Sequence, residues 1–218
     1  MKLYNGDCLE ILKTFTDKSV DVSFTSPPYN RKRNDKYENY DDTIVDYYGF
    51  LCNFTNELLR ITKKWVFVNI QTNYYNRSDV YKYIGNYADK IQNIIIWEKT
   101  NPMPASGNNI TNAVEYFIVL CNNSLKSNTT YTKNHISTSV NPQMDKIHKA
   151  VMKQEVSDWF IEKFTNENDL VLDPFMGLGT TGISCKKMNR DFIGIELDKN
   201  YYDIAEKRIN EFCYNDKK

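Results

Sequence analysis

The chain has little of what most small functional centres are built from. It has two histidines, His135 and His148, so a histidine-based metal site is not expected. Its five cysteines (Cys8, Cys52, Cys121, Cys185 and Cys213) are odd in number, scattered, and form no Cys-x-x-Cys pair. That argues against a disulfide framework and against zinc, and it points to reduced thiols in a cytoplasm. No apolar run approaches a membrane span, and the N-terminus does not read as a secretory signal. A cytoplasmic protein with no membrane partner and no metal is therefore expected. Net charge is missing too, because 28 basic residues cancel 28 acidic ones. Neutrality does not favour a polyanionic partner, but it leaves room for a local basic patch.

What is present is organised around a glycine-rich turn near the C-terminus. Residues 168–182 read NDLVLDPFMGLGTTG. Leu170, Val171 and Leu172 form an unbroken apolar run, as in a strand buried on both faces. Gly177 and Gly179 permit backbone angles and a close ligand approach that a Cβ would block. Thr180 and Thr181 are placed to cap a following helix. The pattern is strand, tight turn, helix, which leaves bare backbone at the carboxyl end of a strand where open α/β sheets place ligands. No lysine follows the last glycine, so this is not a P-loop. The spacing is close to a dinucleotide fingerprint without matching it, and the turn alone does not identify its ligand.

A second feature lies at the other end of the chain. Residues 21–24 read as a strand that runs straight into Thr25-Ser26-Pro27-Pro28-Tyr29-Asn30. Two prolines can neither continue a ladder nor enter a helix, so the chain must leave the strand in a fixed shape. Nearby carbonyls and the Ser26 hydroxyl could accept hydrogen bonds from an exocyclic amino group, and the Tyr29 ring could stack on the base that bears it. Residues 31–48 mix Arg31, Lys32 and Arg33 with tyrosines, a composition suited equally to a solvated loop or to phosphate contact and stacking.

Between these landmarks the chain alternates. Short strands are expected at residues 65–70, 91–97, 115–120 and 192–198. Helices are expected at 9–15, 48–61, 156–164, from the glycine turn to about 188, and at 201–212. Residues 73–89 are polar and rich in tyrosine, and 122–141 read as irregular. The 218 residues suit one domain, an open and mostly parallel sheet with helices on both faces. Glu196, at the end of the strand after the glycine turn, is where nucleoside-binding α/β folds place an acid against a ribose diol.

Taken together, these residues resemble the DNA amino-methyltransferases, which use S-adenosylmethionine to methylate N4 of cytosine or N6 of adenine. Residues 173–181 (DPFMGLGTT) look like the family's cofactor motif, and Thr25 to Tyr29 like its catalytic motif. Asn5-Gly6-Asp7 resembles the acidic motif that meets the cofactor's adenine. The catalytic motif precedes the cofactor motif, as in the β class. The resemblance implies a Rossmann-like, seven-stranded, mostly parallel sheet with one antiparallel strand, as one domain over residues 1–218 with a small target-recognition insert at about 122–147. It implies that Asp7, Asp173, Phe175, Gly177, Gly179, Thr180 and Glu196 hold S-adenosylmethionine. It also implies that Ser26, Pro27, Pro28 and Tyr29 act on the base.

Double-stranded DNA is then the expected partner, with a homodimer and a cognate restriction endonuclease as further expectations. Serine at the first motif position leans toward cytosine N4, with adenine N6 close behind. There is no Pro-Cys pair, which argues against cytosine C5 chemistry. The segment His148-Lys149-Ala150 lacks the proline that the family carries there. Two alternatives are an amino-methyltransferase acting on RNA or protein, whose motifs come in the opposite order, and a non-catalytic DNA-binding subunit.

Overall fold

The computed structural model describes residues 1–31, 43–102, 111–122, 131–139 and 151–212. In chain order these form β1 (Lys2–Asn5), α1 (Cys8–Leu12), β2 (Val22–Thr25), α2 (Tyr47–Ile61), β3 (Val66–Ile70), α3 (Arg77–Asn86) and β4 (Ile91–Lys99). They continue with β5 (Val114–Leu120), β6 (His135–Thr138), α4 (Gln154–Phe164), β7 (Leu170–Asp173), α5 (Thr180–Lys187), β8 (Asp191–Glu196) and α6 (Lys199–Glu211).

One sheet takes up every strand, in the order β1-β8-β7-β2-β3-β5-β4-β6. β5 pairs antiparallel with β3 and with β4, and every other neighbouring pair is parallel. The central strands are apolar on both faces, as parallel strands covered by helices must be: all of β2 and β3 is buried. Helices α1, α2 and α3 cover one face through Leu12, Leu51, Phe54, Leu58, Val80 and Tyr83. Helices α4, α5 and α6 cover the other through Val156, Phe160, Ile183, Ala205 and Ile209. On that second face Phe160 lies 4.9 Å from Phe24 and 4.2 Å from Phe117, ring to ring. Each such buried aromatic contributes about 1.5–3 kcal/mol by leaving water.

The sheet differs from expectation in two places. It has eight strands rather than seven, because His135–Thr138, inside a stretch expected to be irregular, pairs with the outer edge of β4. This strand is polar and exposed in alternation, an edge-strand pattern easily mistaken for a loop. At the opposite edge, β1 is only four residues long and half exposed, and its pairing with β8 rather than its sequence defines it. The tyrosine-rich stretch contains α3, held by the buried Tyr83, whose hydroxyl lies 3.0 Å from that of Thr55. Cys8 and Cys185 are buried, and burial pushes the Cys8 thiol up to about 12.

Topology fixes the site. From β7 the chain moves through α5 to β8 on one side; from β2 it moves through α2 to β3 on the other. The strand order therefore reverses between β7 and β2, where the loops diverge and open a crevice at the carboxyl ends of the strands. The glycine turn follows β7 and the double-proline turn follows β2. Because β5 runs antiparallel, its first residues lie at this same edge, next to the end of β4.

Candidate active site

The turn after β7 is built from backbone. Gly177 has φ +51° and Gly179 has φ +79°, a region other residues enter at a cost. A Cβ on Gly179 would lie 2.9 Å from Ile209 Cδ1 and 3.2 Å from Ala205 Cβ, so α6 packs directly on this backbone. A Cβ on Gly177 would meet no atom within 4 Å: that side of the turn faces open space in which a ligand could rest on bare backbone. Gly179 is the N-cap of α5, and Thr180 and Thr181 are its first residues, so they do not cap it as expected. Thr181 Oγ1 instead donates to Asp173 Oδ2 at 2.6 Å.

Asp173 is buried and fully engaged. Its Oδ1 also accepts from Thr25 Oγ1 at 2.9 Å and from the Phe175 amide at 3.1 Å. Burial raises its carboxyl to about 6, against the pull of these three donors. Asp173 therefore clamps the β7 turn to the β2 turn, a positioning duty the sequence did not suggest. Phe175, half-buried, packs its ring edge-on against Phe54 of α2 at 5.3 Å. Glu196 reaches back under the turn: Oε2 accepts the Gly177 amide at 3.0 Å and Oε1 accepts the Asp198 amide at 2.9 Å. Burial is the main cause pushing its carboxyl up, and each oxygen keeps a lone pair for a further donor. Asp7 is exposed and caps α1 by accepting from the Leu9 amide at 2.7 Å. It is brought beside Glu196 because Asn5 Nδ2 and the Gly6 amide both donate to the Glu196 carbonyl, at 2.8 and 3.0 Å.

The turn after β2 is built from side chains. Two of its carbonyls are already taken: Pro28 O accepts from Tyr47 Oη at 2.8 Å, and Tyr29 O accepts from Asn73 Nδ2 at 2.9 Å and Asn76 Nδ2 at 2.7 Å. Asn30, at φ +49°, exchanges two 3.0 Å bonds with the backbone of Ile44. Among the described residues no donor reaches the Pro27 carbonyl. The Tyr29 hydroxyl donates to Glu115 Oε2 at 2.9 Å, accepts from Asn69 Nδ2 at 2.8 Å, and lies 3.0 Å from Ser26 Oγ. Burial, and next the Glu115 charge, hold its phenol well above the ordinary range, so it stays a proton donor. One face of the ring carries the Arg31 guanidinium at 5.4 Å, and Arg31 Nη2 donates to Gln71 Oε1 at 2.6 Å. A ring expected to stack on the base thus already holds a cation on one face.

The sequence does not mark Asn69, Glu115, Lys99, Asn73 and Asn76 as site residues. Asn69 and Glu115 sit inside strands that read as core, and only the presence of a polar residue within each apolar run marks them. Asn69 is 1% exposed and its Oδ1 has no partner among the described residues. Such an orphan costs about 1–3 kcal/mol, so the amide is held by what its nitrogen donates to. Residues 32–42, most of the proposed recognition insert, and His148 to Ala150 lie outside the described residues, as does Cys213. Among the described residues no cluster of side chains could hold a metal, and no helix is long and apolar enough to cross a membrane.

The chain is 29% identical to the Type II methyltransferase M.HinfI of Haemophilus influenzae, over 98% of this chain and 69% of that protein. It is 28% identical to the Type II methyltransferase M2.LlaDCHI of Lactococcus lactis subsp. cremoris, over 96% and 89% respectively. Its fold superimposes on the cytosine-N4-specific PvuII DNA methyltransferase with a TM-score of 0.79 at 20% identity, covering 97% of this chain and 88% of that one. It superimposes on M1.HpyAVI, solved as a complex with S-adenosylmethionine, with a TM-score of 0.66 at 26% identity, covering 96% and 98%. The N6/N4 DNA methylase family model matches residues 20–207. The chain belongs to the DNA methylase family of N6/N4 methyltransferases.

Proposed function

We propose that this chain transfers the methyl group of S-adenosylmethionine to an exocyclic amino group of a base in double-stranded DNA, with N4 of cytosine favoured slightly over N6 of adenine. The observation that carries the reading is the pairing of two turns across the switch point. One is bare backbone with open space beside Gly177; the other presents the Ser26 hydroxyl and the Pro27 carbonyl. The relatives are Type II methyltransferases, and M1.HpyAVI binds S-adenosylmethionine.

The cofactor fits what this chain offers. Gly177 and Gly179 would let it lie on the backbone, Glu196 would accept from its ribose, and Asp7 lies at the adjoining strand end. Asp173, Phe175 and Thr180 would shape that bed from below. When bound, the cofactor supplies a methyl group on a sulfonium, electrophilic enough that alignment is the main need. The chain's own residues do the rest. The target base must leave the duplex stack for its amino group to reach residues at the strand ends. Its amino lone pair is delocalised into the ring. Acceptors at Ser26 Oγ and Pro27 O would accept hydrogen bonds from the two N–H groups, draw the nitrogen toward tetrahedral geometry so that its lone pair localises, and stabilise the positive charge that develops there, one N–H proton then leaving to water. Pro28 and Tyr29 hold this geometry, their carbonyls being tied to Tyr47, Asn73 and Asn76.

A homodimer, a cognate restriction endonuclease and a cytoplasmic location complete the reading, and the small insert at about 122–147 would be part of the target recognition. Neither alternative function gains support, since both turns are intact in one chain.

The test is to incubate the purified protein with labelled S-adenosylmethionine and unmethylated genomic DNA, and to analyse the nucleosides by mass spectrometry. N4-methylcytosine is the expected product. N6-methyladenine would keep the mechanism and reverse the base. No methylated nucleoside, in a preparation that binds the cofactor, would overturn the reading.

A further inference from the structure

Beneath the double-proline turn lies a buried polar chain that the methyl-transfer reading does not use. Lys99, the last residue of β4, bonds Glu115 Oε1. Glu115, the second residue of β5, is 4% exposed and uses Oε2 to accept from both Tyr29 Oη and Asn69 Nδ2, each at 2.9 Å. Tyr29 Oη lies 3.0 Å from Ser26 Oγ. These residues come from four separate segments and meet only here.

The direction of each hydrogen bond follows from what each group can give. Lys99 is donor-only, and the Glu115 carboxylate it meets is acceptor-only. Tyr29 must therefore spend its single proton on Glu115. Asn69 has two amide protons, and its two short contacts, to Tyr29 Oη at 2.8 Å and to Glu115 Oε2 at 2.9 Å, use both. Its third contact, to Ser26 Oγ at 3.4 Å, is left without a proton. Flipping this amide would set Oδ1 against a carboxylate, so its orientation is fixed by chemistry. With the tyrosine proton committed, the Ser26–Tyr29 bond can form only if Ser26 donates. Ser26 then has no proton left, and only lone pairs to offer the crevice.

We propose that Lys99, Glu115 and Asn69 form a polarity relay that fixes Ser26 as a hydrogen-bond acceptor, so that the site selects an amino group over a carbonyl at the reacting edge of the flipped base. Cytosine and adenine present an amino group at that edge, whereas thymine, uracil and guanine present a carbonyl oxygen. A serine free to rotate would serve either. The relay removes the choice, and it does so from positioning residues that never touch the base. It rests on the methyl-transfer reading above.

The test uses the full chain and a duplex carrying its target site, identified from the methylated positions in genomic DNA. A second duplex replaces the target amino group by a carbonyl, uracil for cytosine or hypoxanthine for adenine, and serves as competitor. Single-turnover transfer and competitive binding are measured for wild type, Glu115→Gln, Lys99→Met and Lys99→Arg. In Glu115→Gln the amide can turn its NH2 toward Tyr29, which reverses the chain and lets Ser26 donate outward. Transfer is expected to fall about tenfold to a hundredfold, with cofactor and DNA affinity held. The preference for the amino duplex over the carbonyl competitor should shrink by about tenfold. Lys99→Met and Lys99→Arg leave Glu115 an acceptor-only carboxylate, so both should keep the wild-type amino preference.

A purely structural role would lower stability or binding without changing amino-against-carbonyl preference. Unchanged preference in Glu115→Gln, with wild-type transfer intact, overturns the relay alone. Absence of any transfer by wild type overturns the reading beneath it.

Discussion

The two turns that meet at the switch point achieve the same end by opposite means. After β7 the chain sets its surface with backbone: two glycines at positive φ, an amide held by Glu196, and a helix packed hard against Gly179. After β2 it sets its surface with side chains, seven of which (Asn69, Asn73, Asn76, Tyr47, Glu115, Lys99 and Arg31) converge from four other parts of the chain or from just beyond the motif itself. A backbone site fixes where a ligand lies. A side-chain site fixes which way protons point. The first suits a cofactor common to every turnover; the second suits a group that must be recognised and activated.

The comparison predicts different kinds of damage, and the largest effect lies on the catalytic side. Ser26→Ala removes one of two acceptors for the amino group and leaves the fold alone. Single-turnover methyl transfer should fall about a hundredfold to a thousandfold, while cofactor affinity, measured by calorimetry, stays within about twofold. A matched loss of cofactor affinity would mean that the two turns are not the separate devices described here.

On the backbone side the loss should be of folding as much as of chemistry, and the two glycines should part company. Gly179→Ala forces a Cβ into Ile209 and Ala205 at a positive φ. Strain of about 1–2 kcal/mol and overpacking of about 1–3 kcal/mol should appear together in denaturant unfolding. Gly177→Ala carries the strain alone, about 1–2 kcal/mol, because nothing lies within 4 Å of its new methyl group. Its larger effect should be on cofactor affinity, since that methyl enters the space the ligand would use. Equal destabilisation by the two substitutions, with cofactor affinity unchanged in Gly177→Ala, would contradict the assignment of that space.

The same contrast explains what could be read from the sequence. Glycine and proline carry their backbone geometry in their own covalent structure, so the turns at Gly177–Gly179 and Pro27–Pro28 were legible, and with them the crevice between β7 and β2. Glu196 was legible because a strand end in this fold has a known place. The duties of Asp173 and Thr181 were not, since each is defined by a partner on another element: Thr25, 148 residues away, in one case. Asn69 and Glu115 were hidden for the same reason. Nothing local separates a polar residue tolerated in a strand from one placed to meet Tyr29, which lies 40 residues from Asn69 and 86 from Glu115. The edge strand β6 escaped because a polar, exposed strand owes its existence to the neighbour it pairs with.

Asp173 joins the two regions, and its titration should report on that junction. Burial lifts its carboxyl from 3.8 to about 6 in the folded chain. Between about pH 4 and pH 6 the folded state thus holds a proton that the unfolded state has released. Unfolding then sheds protons, so stability is greatest at the acid end of this window and declines as pH rises through the folded value. Asp173 contributes a decline of about 2–3 kcal/mol over the window, to which Glu196, also raised by burial, adds in the same direction. Carboxylates held below their ordinary range would oppose it, so the useful quantity is the difference between wild type and Asp173→Asn, compared by chemical denaturation at pH 4.5 and pH 7.5. The variant should lose stability less steeply, or gain it, as pH rises. The neutral amide also lacks the charge that draws Thr25, Thr181 and the Phe175 amide onto one group, so the turns should loosen against each other and methyl transfer should slow even at the pH where the variant is the more stable. A variant with wild-type pH dependence and wild-type transfer would mean that the carboxylate neither titrates in this window nor couples the two turns.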